Sequence, residues 1–123
     1  MSEATKHDAG KNRVDLVAWQ WVQGVAQVLT FGAQKYHVNN WAKGMAWSRV
    51  IRAAKDHIGK WADGEDLDDE SGLSHLLHAS CCLMFLYMYE KHGLGTDDRY
   101  KWLQDADVPE EELLAMYAKG HES

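Results

Sequence analysis

Residues 72–91, GLSHLLHASCCLMFLYMYEK, are apolar on nearly every face of a helix. A helix of this kind has no side to offer to water, so it has to lie at the centre of a fold. Directly before it, residues 63–70 (DGEDLDDE) carry six carboxylates. Like charges this dense repel one another and favour solvent, yet the chain joins them to its most burial-prone element. Any fold for this sequence has to offset that repulsion close to a hydrophobic core.

A length of 123 residues suits one domain with a single core. The expected organisation is a single domain over 1–123. It comprises a loose N-terminal segment (1–15), a helical core (16–99) and a C-terminal helix with a tail (100–123). An apolar fraction of 46% and six tryptophans argue for a folded globule, and a lone proline leaves long helices uninterrupted. The net charge of −6 conceals two unlike halves: +5 up to Lys60 and −11 from Trp61 onward. A basic half facing an acidic half is able to hold phosphate oxygens on one side and a divalent cation on the other.

Cys81 and Cys82 are adjacent, and neighbours on a helix project about 100° apart, which rules against a bridge between them. They read as reduced core thiols, and a cytoplasmic location is expected. No segment reads as a signal peptide or a membrane span.

The apolar periodicity predicts an all-α protein, a compact bundle of about four helices. The first covers Leu16 to Thr30, with Val17, Trp21, Val25, Val28 and Leu29 at helical spacing. A long structured loop, 31–49, follows. Ser48 reads as the N-cap of a second helix to Ala62, whose inner stripe is Val50, Ala54, His57 and Trp61. Ser71 reads as the cap of a third helix, Gly72 to Lys91. Asp107 and Glu110 have capping-box spacing for a short fourth helix bearing Leu113, Leu114 and Tyr117.

On the third helix His75, His78, Cys82, Phe85 and Tyr89 share one stripe. Antiparallel packing of the second and third helices through the 63–70 connection brings His57 to the same end of the bundle. Three imidazoles then meet the acidic loop, and a divalent cation among them would offset the carboxylate repulsion. The expected metal ligands are Glu65, Asp68, Glu70, His75 and His78. Mixed oxygen and imidazole donors suit Mg²⁺ or Mn²⁺, with Zn²⁺ or Fe²⁺ ranked below them. Taken singly, an acid near a helix N-terminus is more often solvated than liganding, and a histidine such as His57 is more often a hydrogen-bonded core residue than a catalyst.

The loop 31–49 carries complementary groups. Lys35 and Arg49 supply positive charge, Tyr36 and Trp41 flat faces, and Asn40 both donors and acceptors, a set suited to a purine nucleotide. Lys11 and Arg13 in GKNRVDL read either as groups that close over a polyphosphate or as a simple basic tail. No Walker-type glycine loop is present.

Four stretches, GKNRVDL, VLTFGAQKYHVNNWAKGMAWSR, AAKDHIGKWADGEDLDDESGLSHLLHASCCLMFLYMYE and GTDDR, together resemble the small phage-type dATP/dGTP diphosphohydrolases. That family is grouped with the all-α, MazG-like nucleoside triphosphate pyrophosphohydrolases. The resemblance implies cleavage of dGTP, and of dATP, to the monophosphate and pyrophosphate. It also implies a role in phage nucleotide metabolism such as 2-aminoadenine DNA synthesis. MazG-like enzymes hold metal with E-x-x-E on one helix and E-x-x-D on the next, and helices two and three have neither motif. His57, and His75 with His78, occupy the corresponding inward positions.

The expected mechanism is metal-assisted hydrolysis with His57 and Glu70 as catalytic groups and Glu70→Gln inactive. Trp19, Trp21, Met84, Tyr87 and Met88 are more apolar surface than one small bundle buries, so a homodimer or homotetramer is expected. No stable nucleic-acid binding and no membrane partner are expected. Two alternatives stand beside this reading. One is an HD-type phosphohydrolase releasing triphosphate, though KDH at 55–57 has the reverse order. The other is a non-enzymatic interaction protein with an acidic face.

Overall fold

The computed structural model of the chain describes residues 9–99 and Glu111. Among them lie three α-helices, α1 (Trp19–Lys35), α2 (Trp47–Ala62) and α3 (His75–His92), with short 3-10 turns at Val14–Leu16 and Asn40–Lys43. No strand forms among the described residues, and two isolated bridges, Ala46 with Thr96 and Leu67 with Ser74, pin loops to one another. The described body is all-α. The helix expected around Asp107, Glu110, Leu113, Leu114 and Tyr117 falls outside the described residues.

The hydrophobic surface of α3 decides the layout: it lies in the middle, with α2 and α1 both packed on it. Cys82 and Tyr89 of α3 interlock with Trp47, Val50 and Ala54 of α2 to form the core, flanked by Trp41, Met45, Phe85 and Leu94. Cys81, one residue round the helix, turns the other way and directs its thiol at the Val25 carbonyl of α1, 3.7 Å away. Adjacent cysteines therefore serve two neighbours. Burial pushes the Cys81 thiol up to about 11 and raises Cys82 as well, so both stay protonated and inert. Gly24 sets how near α1 comes: a Cβ there would lie 2.6 Å from a Leu77 methyl.

The first helix begins at Trp19 rather than Leu16, which lies in the preceding 3-10 turn, and three further helix ends differ from the sequence reading for a visible reason. First, α1 continues to Lys35 rather than stopping at Thr30, because FGAQK extends the turn and the Tyr36 N–H closes on the Gly32 carbonyl. Second, α3 starts at His75, capped by Ser74, whose Oγ accepts from the Leu76 N–H; Ser71 lies three residues earlier and bonds elsewhere. Third, Ser48 sits inside α2. It is itself capped from far along the chain, donating its N–H and its hydroxyl to the Asp98 carboxylate. A side chain fifty residues away replaces the local cap.

The segment after α3 therefore folds back over the start of α2. The Trp47 indole N–H donates to the Leu94 carbonyl at 2.8 Å, and the Trp47 backbone N–H to Thr96. The crossing is tight enough that a Cβ on Gly95 would stand 2.2 Å from the Met45 carbonyl oxygen. This clamp fixes the far end of the loop joining α1 to α2.

No helix among the described residues is long and apolar enough to cross a membrane. Trp19, Trp21 and Tyr87 are exposed, while Met84 and Met88 are half-buried.

Candidate functional site

The α2 stripe Trp47, Val50, Ala54 is buried, and its next member, His57, is half-buried where the core gives way to solvent. Because α2 and α3 run antiparallel, His57 meets the first turn of α3. The acidic connection does not extend into solvent as a free loop. It doubles back: Asp68 N–H donates to the Leu73 carbonyl, Gly72 N–H to the Asp68 carbonyl, and His75 N–H to the Asp66 carbonyl. These bonds hold Glu65 and Asp68 against the imidazoles.

His75 is wholly buried, and both of its ring nitrogens have partners. Its Nε2 lies 2.6 Å from Glu65 Oε2, and its Nδ1 lies 2.8 Å from Nδ1 of His57. A carboxylate only accepts, so Nε2 of His75 carries the hydrogen and Nδ1 holds a lone pair, to which His57 Nδ1–H donates. The His78 ring stacks on His57, with centroids 4.6 Å apart and planes 10° from parallel. Its Nε2 lies 2.7 Å from Ser71 Oγ, and Ser71 gives both its N–H and its hydroxyl to Asp68 Oδ2. Ser71 thus ties the acidic loop to His78.

The electrostatics follow from this geometry. Burial above all, then the neighbouring His78 and His75, holds His57 below the ordinary 6.5. Burial likewise lowers His78, and the Asp68 charge does not reverse it. Burial alone would raise the Asp68 carboxyl, but the Ser71 bonds together with His78 and His57 keep it below its ordinary value. Near neutral pH the cluster is therefore two neutral, lone-pair-bearing imidazoles facing an ionised carboxylate.

Beside the cluster opens a cavity of about 470 Å³. His57, Asp68, Glu70 and His78 line its polar end, together with Lys35 from the last turn of α1. Lys35 forms an ion pair with Glu70 at the exposed rim and lies 5.2 Å from the centre of the Tyr36 ring. Most of the remaining wall is apolar or aromatic, with Val28, Phe31, Tyr36, Val38, Trp41 and Phe85, and Thr30, His37 and Asn39 add polar groups to it. Trp41 stacks on Phe85 with centroids 4.9 Å apart, and its carbonyl accepts the Tyr89 hydroxyl at 2.6 Å. Asn40 also lines this cavity, at the start of the 3-10 turn that follows Asn39.

The residues singled out in the sequence do not all converge. Lys35, Tyr36, Asn40, Trp41, His57, Asp68, Glu70 and His78 surround one cavity, with His75 and Glu65 behind its polar end. Arg49 is exposed on α2 and is not part of the wall. Lys11 is exposed, and Arg13 is exposed and paired with Asp15. Neither Lys11 nor Arg13 lines the cavity. Two contributors escaped the sequence reading: Ser71 as a link rather than a cap, and Phe85 as the partner of Trp41. Phe85 did lie on the stripe defined by His75, His78, Cys82 and Tyr89, which was its only signal.

The family model described as "dATP/dGTP diphosphohydrolase, N-terminal" matches residues 1–99, which take in α1, α2, α3 and the cavity. A curated protein of Salmonella phage PMBT28, named dATP/dGTP diphosphohydrolase, is 37% identical over 104 residues, covering 85% of this chain and 34% of that protein. The chain thus spans about a third of the length of the relative it matches. No solved structure matches. With the match running through α1, α2, the acidic loop and α3 alike, the chain belongs to the dATP/dGTP diphosphohydrolase N-terminal family.

Proposed function

We propose that the chain binds a purine deoxynucleoside triphosphate, dGTP and also dATP, in this cavity and hydrolyses it between the α and β phosphates. The products are the deoxynucleoside monophosphate and pyrophosphate, in phage nucleotide metabolism such as 2-aminoadenine DNA synthesis. One observation carries the reading: a single cavity has an aromatic, apolar wall continuous with an end built from imidazoles, carboxylates and Lys35. A base stacks on flat rings, and a triphosphate needs cationic and metal-binding groups within its length. The name of the Salmonella phage relative supports the same substrate class.

In this reading the base lies against Tyr36 and Trp41, with the Asn40 amide at its edge. Lys35 exchanges Glu70 for phosphate oxygens and neutralises charge on the departing pyrophosphate. A water oxygen bonds to the α-phosphorus, the bond to the bridging oxygen breaks, and pyrophosphate leaves with the electron pair. His57 and His78, both neutral, are the groups able to take the water's proton. The imidazole and carboxylate donors at this end would fit Mn²⁺ better than Mg²⁺, which favours all-oxygen surroundings. Such a cation supplies positive charge against the polyphosphate and makes a nearby water more acidic.

The exposed Trp19, Trp21 and Tyr87 support a homodimer or homotetramer, which sedimentation equilibrium tests; a monomer at micromolar concentration would contradict it. The activity is tested by incubating the chain with dGTP, dATP, dCTP and dTTP in Mn²⁺ or Mg²⁺ and separating products by chromatography. Purine monophosphate with pyrophosphate is the expected result. Release of inorganic triphosphate would favour an HD-type reaction instead, and failure to bind or turn over any nucleotide would overturn the reading.

A further inference from the structure

We infer that His57, Asp68 and His75 form a binding site for one divalent transition-metal ion, with Glu65 holding His75 in place from behind. The inference deepens the proposed function by naming the class of ion, and it rests on that reading only for the ion's purpose. The site itself stands on geometry.

One ligand atom from each of the three residues lies within 4.8 Å of the other two. Ligands around an ion at about 2.1 Å stand about 3.0–4.2 Å apart, so a small side-chain adjustment closes the set. The two Nδ1 atoms, 2.8 Å apart, already have nearly the separation of adjacent ligands. In the metal-free protein a shared hydrogen holds that pair together. Both lone pairs become available once His57 carries its hydrogen on Nε2, a change of tautomer with no net proton gained or lost.

Glu65 explains why His75 is able to ligate from a fully buried position. By accepting from Nε2–H, it forces the lone pair onto Nδ1 and fixes the plane of the ring. Asp68 is held in the same way: both Ser71 bonds fall on Oδ2, which leaves Oδ1 for an ion. The donor set is two imidazoles and one carboxylate. Mg²⁺ favours all-oxygen surroundings, whereas Mn²⁺, Fe²⁺, Co²⁺ and Zn²⁺ accept imidazole readily. With His57 committed to the ion, His78 remains as the proton acceptor.

The test needs no nucleotide and no turnover. Protein stripped with chelator and desalted is titrated with Co²⁺, following visible d–d absorption, and with Mn²⁺ and Mg²⁺ by calorimetry. The expected result is one Co²⁺ per chain with a ligand-field band, and no displacement by an equal concentration of Mg²⁺. Glu65→Gln weakens binding about 10–100-fold, as loss of a carboxylate behind a metal-bound histidine does. His57→Ala abolishes the band, and Asp69→Asn, in the same acidic loop, leaves it unchanged. His57 is only half-buried, so circular dichroism of His57→Ala separates loss of a ligand from loss of the fold. Absence of Co²⁺ binding to the wild type, equal binding by folded His57→Ala, or ready displacement by Mg²⁺ would each overturn the proposal. Nucleotide hydrolysis measured separately would stand or fall on its own.

Discussion

Tyr89, wholly buried in the last turn of α3, donates its hydroxyl to the backbone carbonyl of Trp41 across 2.6 Å. One end of the core thereby fixes the aromatic wall of the cavity, because the ring of Trp41 then rests on Phe85. Tyr89→Phe removes the donor and leaves the Trp41 carbonyl with the Gly44 N–H alone, which costs about 1 kcal/mol, the worth of one hydrogen bond. Urea unfolding should show a lower midpoint at unchanged slope. Nucleotide affinity should weaken too, since Trp41 is no longer held.

The crossing of Gly95 over Met45 predicts a contrast between two glycines. Gly93 and Gly95 both have positive φ, 66° and 71°, but an added Cβ meets nothing within 4 Å at Gly93 and backbone at 2.2 Å in Gly95. Gly93→Ala should cost only the left-handed penalty of about 1–2 kcal/mol. Gly95→Ala adds a steric clash of about 1–3 kcal/mol that no side-chain rotation relieves. Parallel denaturation curves of the two variants measure the difference directly.

Acid should destabilise the metal-free protein through its histidines. His57 and His78 are lowered from 6.5 chiefly by burial, with Lys60 and the other imidazoles adding to His57, and Asp68 and Glu70 opposing on His78. The unfolded chain therefore takes up protons first as pH falls. Stability from these groups is fully present above about 6.5 and is lost as pH drops from there through the lower folded values. In the presence of chelator the melting temperature should be flat above neutrality and decline below it, and His57→Gln should flatten that decline. A wild-type melting temperature independent of pH between 7 and 5 would contradict the assignment.

The Lys35 and Glu70 pair sits at an exposed rim, where an ion pair adds little to stability. Lys35→Met should leave the melting temperature nearly unchanged while raising KM for the nucleotide about 10-fold, the weight of one lost phosphate contact. Glu70→Gln tests the catalytic role expected of this carboxylate from its position at the polar end of the cavity: turnover should be abolished with the fold intact. Steady-state kinetics beside thermal melts separates the two effects, and near-normal pyrophosphate release by Glu70→Gln would refute its role.

The sequence shows the central helix plainly, because a stretch apolar on all sides has only one place to go. The stripes on α2 and α3 likewise place His57, His75 and His78 at one end of the bundle, since periodicity and a short connection leave little freedom. What sequence did not reveal depends on contacts between distant segments. Asp98 caps α2 from beyond α3, so Ser48 looks like a cap on local pattern alone. Ser71 and Ser74 are equally good caps by composition, and only the doubled-back loop decides between them. Glu65 is one acid among six until its carboxylate is found behind His75. Lys11, Arg13 and Arg49 looked plausible for phosphate because charge is visible in sequence and direction is not.

In the proposed reaction this cavity directs water at the α-phosphorus of a purine deoxynucleoside triphosphate. Turnover of dGTP in water enriched in oxygen-18, with mass spectrometry of both products, tests it most directly. Attack at the α-phosphorus puts the heavy oxygen in the monophosphate and none in the pyrophosphate. Label in the pyrophosphate, or free triphosphate as a product, would contradict it.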